Sequence, residues 1–310
     1  MTIQILLLIV GLALIVFGAE WLVDGASAVA RRAGISEFVI GLTIVCFGTS
    51  CPELVVSLTG ALEGNADISV GNVVGSNIFN TLLILGMTAV IAPVAVTRAN
   101  SRRDIPIALL VTFIFCFLGF AGSTINRVEG ILFLVVFVGY LFYCFRTDTG
   151  ITGGDEIKER SLGLALLLVA AGLGGLIVGG RLFVDNAVLI ARAIGVSDKF
   201  IAITLLAGGT SLPELATCIV AAAKKKDQLA LGNILGSNVF NILLILGASA
   251  TVTPLSTLAL TWMDYGVLLI SAVMVWLWTY TGHRNRVDRW EAALMLLTFF
   301  GYYAWLFVKL

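Results

Sequence analysis

The chain has 310 residues, 59% of them hydrophobic and 12% charged, with 19 basic and 19 acidic side chains and a mean hydropathy of +1.04. Soluble domains carry about 25% charged residues, so this composition excludes a water-soluble globular fold. Zero net charge offers no bulk field for nucleic acid or an acidic partner.

Apolar runs of about 20 residues, enough to span a bilayer, are predicted in chain order at 3–23, 37–61, 68–92, 105–121, 128–145, 161–184, 199–222, 228–252, 260–280 and 290–308. The first lacks a basic leader and a small-residue cleavage site, so it is expected to remain as a span rather than act as a signal peptide. The polar stretch RTDTGITGGDEIKER, residues 146–160, is expected to link two halves, 1–145 and 161–310.

The halves are related by duplication. GTSCPELVVSLTGAL at 48–62 matches GTSLPELATCIVAAA at 209–223, and GNVVGSNIFNTLLILG at 71–86 matches GNILGSNVFNILLILG at 232–247. A constant offset of 161 also carries Asp24 to Asp185, Arg31 to Arg192, Gly34 to Gly195 and Pro93 to Pro254. An odd number of crossings per unit starts the second unit on the opposite side of the membrane, so the repeats are expected to be inverted. The expected fold is therefore an all-α polytopic membrane protein of ten transmembrane helices in two inverted five-helix repeats.

Loops after odd-numbered spans carry most of the basic residues, among them Arg98, Arg102 and Arg103, Lys224 to Lys226, and Arg284, Arg286 and Arg289. The positive-inside rule then places these loops and the linker in the cytoplasm and both termini outside.

Glu53 and Glu214 each fall midway along an apolar run, where an ionised carboxylate costs about 2.5 kcal/mol or more. No Lys or Arg lies deep in a span to pair with them, and they are equivalent under the offset. A structural carboxylate, protonated or paired, is the bland reading. A pair of cation ligands is the reading favoured by the duplication. Pro52 and Pro213 remove a backbone donor beside each glutamate, and with Gly48 and Gly209 they predict unwinding that frees carbonyls near Cys46–Thr49 and Ala207–Thr210. Such backbone is tolerated in a membrane only where it lines a cavity or is buried in protein.

Ser76 and Asn80, like Ser237 and Asn241, are four residues apart and share a helix face, able to present oxygens to the glutamates. Gly71, Gly75, Gly232 and Gly236 read first as close-packing positions, and Asn72, Asn77, Asn233 and Asn238 as helix caps or cross-links. Oxygen ligands without sulfur or imidazole suit hard cations such as Ca2+ and Na+. Two bidentate glutamates and two carbonyls would supply about six ligands, within the ~6–8 usual for Ca2+. The five cysteines (Cys46, Cys51, Cys116, Cys144 and Cys218) show no metal-ligand spacing, and the lone histidine, His283, lies in a basic loop. An intramembrane protease therefore lacks its base or paired aspartates. A Ca2+-permeable channel would be expected to use symmetric rings rather than a two-fold pair.

On these motifs the chain resembles the cation/Ca2+ exchanger superfamily, in particular prokaryotic Na+/Ca2+ exchangers, most densely over 38–93 and 199–254. The resemblance implies an antiporter, not an enzyme, with Ca2+ and Na+ as transported ions and no organic cofactor. It implies a plasma-membrane location, with no nucleic acid and no required protein partner. Implied Ca2+ ligands are Glu53, Glu214 and the carbonyls of Thr49 and Thr210. Implied Na+ ligands are Ser50, Ser76, Ser211, Ser237, Glu53 and Glu214 with the carbonyls of Cys46 and Ala207, and Asn80 and Asn241 sit centrally. It further implies that spans one and six slide as a gate, which the glycines of span six would suit as well as they suit static packing. Asparagine at both 80 and 241, where K+-dependent relatives place an aspartate, implies no K+ requirement. Cys51 stands where leucine is more usual. H+/Ca2+ exchange on the same fold is the alternative.

Overall fold

The computed structural model describes residues 1–148, 150, 161–195, 207–282 and 285–309. Helix α1 (Thr2–Ala33) runs ten residues beyond its predicted apolar stretch. The extension, rich in small residues, is buried from Gly25 to Ala30, and Asp24 is neutralised by Lys224 Nζ at 2.7 Å. It stops at Gly34, whose φ of +69° lets its N–H turn back to the last carbonyls; Gly195 (φ +86°) ends the equivalent helix in the same way.

Ser36 caps α2 (Glu37–Thr49), its hydroxyl accepting from the Val39 N–H at 3.2 Å. The chain then bends by 52° into α3 (Cys51–Leu62). Pro52 lies in the first turn of α3, where its fixed φ suits a helix start. Helix α4 (Ala66–Ile91) follows, then strand β1 (Val94–Ala95), α5 (Asn100–Gly122), strand β2 (Thr124–Ile125) and α6 (Arg127–Thr147), which opens on an Asn126–Glu129 capping box. Arg146 and Thr147 of the predicted linker belong to α6, and its residues 149 and 151–160 lie outside the described residues.

The second half holds α7 (Leu162–Ala193), a helical turn at Ala207–Gly209, α8 (Leu212–Ala223), α9 (Asp227–Val252), strand β3 (Leu255–Ser256), α10 (Trp262–Trp278), strand β4 (Arg286–Val287) and α11 (Arg289–Lys309). Residues 199–206 of the predicted seventh run, and His283 and Arg284 of the basic loop, fall outside the described residues.

Among the described residues, α1, α4, α5, α6, α7, α9 and α11 are each long and apolar enough to cross a bilayer, as is the bent pair α2–α3 taken together; α8 and α10 are shorter apolar helices. With large apolar side chains such as Phe117, Val135, Leu167 and Leu297 exposed along them, the chain is an integral, multi-pass membrane protein. Two helices form its centre: the apolar window of α9 is 89% buried and that of α4 72%, against 22% for α1.

Two short antiparallel sheets staple the halves together. Val94 pairs with Val287 and Ala95 with Arg286; Ile125 pairs with Leu255 and Thr124 with Ser256. Each joins the segment after the third long helix of one half to the segment between the last two of the other.

A third feature is a glycine seam. A Cβ at Gly11 would meet the Phe183 N at 2.7 Å, one at Gly18 the Leu176 N at 2.8 Å, and one at Gly25 the Ala165 carbonyl at 2.8 Å. Gly172 and Gly179 are equally tight from the other side. Small residues seven apart therefore bring α1 and α7 into backbone contact, antiparallel, along most of their length. Gly172, Gly175 and Gly179 pack against the α1 backbone, and Gly174 faces outward.

Candidate cation site

The bend between α2 and α3 sits at Ser50 (φ −86°, ψ 8°) and delivers Glu53 to the protein interior, 1% exposed; Glu214, in the first turn of α8, is also 1% exposed. Unwinding was expected over Cys46–Thr49, but those residues form a helical turn, preceded by a wide π turn at Gly41–Val45, and the break is confined to Ser50. The Cys46 carbonyl stays in the helical ladder, accepting from the Ser50 N–H at 2.9 Å. The residue at 52 is proline, so the Gly48 carbonyl lacks its regular helical donor. Cys51 Sγ donates to the Phe47 carbonyl at 3.1 Å, a packing role.

The glutamates are held reciprocally. Ser50 Oγ donates to Glu214 Oε1 at 2.8 Å, and Ser211 Oγ donates to Glu53 Oε1 at 3.2 Å. Each serine therefore orients the carboxylate of the opposite half. Ser237 Oγ lies 3.1 Å from Ser50 Oγ, and Thr49 Oγ1 donates to Asn233 Oδ1 at 3.2 Å. Among the described residues, no ion pair involves either glutamate.

The asparagines cross-link the helices. Asn72 Nδ2 donates to the Glu53 carbonyl at 3.2 Å and to Ser57 Oγ at 2.9 Å, fixing α3 against α4. Its equivalent, Asn233, donates to Cys218 Sγ at 3.3 Å, where Cys218 is the equivalent of Ser57. Asn77 Nδ2 donates to the Asn238 carbonyl at 3.1 Å, and Asn241 Nδ2 donates to Asn77 Oδ1 at 2.9 Å, so α4 and α9 are joined at the centre. Gly232 and Gly236 admit the α2 backbone, with Leu42 Cα 2.8 Å from a Cβ built on Gly236. The residues that the offset sets against Gly71 and Gly75, 199 and 203, lie outside the described residues.

Both central helices widen into a π turn where they meet the site, at Phe79–Ile84 and Asn241–Leu246. Such bulges mark functional positions more often than chance. This doubled bulge was not foreseen, and only the offset between its two copies could have hinted at it.

What remains after these bonds is a set of oxygens without donors. Glu53 Oε2, Glu214 Oε2, Asn80 Oδ1, Asn241 Oδ1 and Thr210 Oγ1 are buried with no hydrogen-bond partner. Orphaned buried acceptors are costly, and two carboxylates among them raise the cost further. Of the remaining predicted residues, Thr49, Ser76, Ser211, Ser237 and Cys46 are buried around this cluster's helices, and Ala207 lies in the helical turn leading to Thr210.

A family model described as sodium/calcium exchanger protein matches residues 3–146 and 164–308. The chain belongs to the sodium/calcium exchanger family. It is 37% identical to the putative antiporter CaxA of Alkalimonas amylolytica and 30% identical to the sodium/calcium exchanger MaX1 of Methanosarcina acetivorans, with 99% of both chains covered in each case. A solved structure of the sodium-calcium exchanger NCX_Mj, soaked with Na+ and Sr2+, superposes with a TM-score of 0.86 at 32% identity, covering 97% of each chain. The chain is thus a member of a cation/Ca2+ exchanger family with the fold of a membrane exchanger.

Proposed function

We propose that the chain is a secondary antiporter exchanging Na+ for Ca2+ across the plasma membrane, by alternating access to one mid-membrane site. The carrying observation is the reciprocal pairing of Ser50 with Glu214 and of Ser211 with Glu53, which leaves one oxygen of each buried carboxylate without a hydrogen-bond partner. Hard oxygen ligands and two negative charges match one Ca2+, and the same charges match monovalent cations once Ca2+ has left. Competition for one pair of carboxylates couples the two fluxes.

In this reading Glu53, Glu214 and the carbonyls of Thr49 and Thr210 bind Ca2+. Ser50, Ser76, Ser211 and Ser237, with the two glutamates and the carbonyls of Cys46 and Ala207, form the flanking Na+ positions. Asn80 and Asn241 close the centre, and no K+ is required. The chain performs coordination and not catalysis. Ten spans form two inverted repeats, with the termini outside and the linker cytoplasmic. The two sheets support this arrangement, because each joins loops expected on the same side of the membrane.

The carboxylate oxygens without donors also favour a second reading, H+/Ca2+ exchange, since a proton on each would satisfy them. Uptake of 45Ca2+ into proteoliposomes separates the two. Uptake that needs internal Na+ and vanishes in Glu53→Gln supports Na+ coupling; uptake driven by internal acid keeps the site and changes the coupling ion. Uptake unaffected by Glu53→Gln overturns the site itself.

A further inference from the structure

Away from the cation cluster, the end of the molecule that carries β1 and β4 holds a recess of about 410 Å³, lined by Arg98, Ser101 and Arg102 from the first half and Thr279, Tyr280 and Asn285 from the second. Its volume lies in the ~300–1,000 Å³ range of small-molecule sites.

The serine and threonine hydroxyls of its wall are already committed. Thr279 Oγ1 donates to the Trp276 carbonyl at 2.7 Å and Ser101 Oγ to the Arg98 carbonyl at 3.3 Å. The guanidiniums are not. Neighbouring arginines are each engaged: Arg103 with Asp104, Arg286 with Asp288, and Arg289 with the Val90 and Ile91 carbonyls. Arg98 and Arg102 have no ion pair or hydrogen bond through their side chains among the described residues, and no acidic residue lines the recess.

Their placement sharpens the point. Arg98 lies in the turn that leads into α5 and Arg102 in its first turn, with Thr97 Oγ1 accepting from the Asn100 N–H at 3.1 Å. Two arginines in the opening turns add positive charge where the peptide dipoles are already positive, an arrangement that an anion relieves. The repeated unit does not impose them, since the second half has no Lys or Arg between Pro254 and Trp278. Asn285 reaches the recess from a left-handed turn (φ +69°) whose carbonyl accepts from the Val96 N–H at 2.7 Å, so the strap between the halves fixes the wall. Tyr280, exposed in the wall, and Leu277, exposed one turn earlier at the end of α10, put apolar surface beside the recess.

We propose that this recess binds a phosphate group between Arg98 and Arg102, carried by the headgroup of an anionic phospholipid whose acyl chains lie along the Leu277–Tyr280 edge. Arginine forks match phosphate oxygens in geometry as well as charge, and the tyrosine edge suits the interfacial depth. Because the recess takes walls from both halves, an occupied site braces them against each other. The proposal does not depend on which ions are transported.

The test uses the purified full chain in neutral detergent. Native mass spectrometry with equal phosphatidylglycerol and phosphatidylcholine should show preferential retention of phosphatidylglycerol. Thermal unfolding should rise by a few degrees with phosphatidylglycerol and not with phosphatidylcholine. Arg98→Gln with Arg102→Gln should abolish both effects, and the double lysine variant should keep part of them. An equal shift from inorganic phosphate, also lost in the glutamine variant, supports the site and makes the free anion its ligand. Equal retention of the two lipids by the wild-type chain overturns the proposal, as does an undiminished phosphatidylglycerol effect in the glutamine variant.

Discussion

Ser50 and Glu214 meet across the boundary between the two halves of the chain, Oγ to Oε1 at 2.8 Å, and Ser211 and Glu53 repeat the contact at 3.2 Å. The half that supplies a carboxylate is therefore not the half that aims it. Each glutamate is left with one oxygen bound by a serine and one, Oε2, buried without a hydrogen-bond partner.

Removing either carboxylate's charge should end transport. Glu53→Gln and Glu214→Gln are nearly isosteric, keep the serine contacts as acceptors, and should fold. Calcium uptake into proteoliposomes is expected to drop to the level of empty vesicles, with the elution profile of the purified protein unchanged. Robust residual flux would remove the two glutamates from the site.

The serines should tune affinity rather than switch transport off. A hydrogen bond to a charged group contributes about 1.5–3 kcal/mol, which corresponds to roughly 10- to 100-fold in an equilibrium constant. Ser50→Ala and Ser211→Ala should raise the Ca2+ concentration for half-maximal uptake toward the lower end of that range. Combining the two should give less than the product of the single effects, because both act on one ion. Initial rates across a Ca2+ series would reveal a lack of effect, which would make these contacts purely structural.

Asn241 offers a different lever. Its amide nitrogen is bound to Asn77 Oδ1 at 2.9 Å while its oxygen has no partner. Asn241→Asp adds a third carboxylate beside the glutamates and sets two acceptor oxygens against each other at Asn77. Transport should acquire a new dependence on K+ or on pH. If both dependences match those of the parent protein, Asn241 does not face the ions.

The glycine seam makes a prediction about stability alone. A methyl group at Gly172 would lie 2.6 Å from the Leu22 N and 2.8 Å from the Gly18 carbonyl, both backbone atoms that cannot step aside. Gly172→Ala should destabilise by about 1–3 kcal/mol, the usual cost of overpacking. Gly174→Ala, two residues away and exposed with no atom within 4 Å, should be neutral or stabilising by up to about 1 kcal/mol. Thermal unfolding of the two variants, measured side by side in detergent, checks the contrast.

Much of this could be read from residues alone, because the motifs occur twice. The offset of 161 that pairs Glu53 with Glu214 also pairs Ser50 with Ser211, and all four side chains are buried. The cross-linking role of Asn72, Asn77, Asn233 and Asn238 was also legible, since interior amides in spans must find partners. The reciprocal partner choice was not legible. Periodicity places a side chain on a face, but it does not say which helix of the other half that face will meet.

The break falls just ahead of Glu53, at Ser50, but it is narrower than glycine and proline alone suggest. Glycine and proline weaken a turn, but the turn that gives way is the one whose lost bonds are best replaced by neighbours. The Cys46–Thr49 turn keeps the Ser50 N–H as a donor to the Cys46 carbonyl and survives. The π turns at Phe79–Ile84 and Asn241–Leu246 leave no composition signature, because they consist of the same apolar residues as the helices around them. The two-residue sheets are too short for any alternation to show.

Those sheets have a mechanical consequence. Val94–Val287 and Ile125–Leu255 join residues far apart in sequence, and each joins one half to the other. One ties the segment after α4 to the segment before α11, and the other ties the segment after α9 to the segment before α6. Neither tie includes α1 or α7, which are joined to each other by their long glycine-lined contact. Under the exchange cycle proposed above, two such ties, one in each pair of loops, would hold the carboxylates of the two halves in register while the site changes sides.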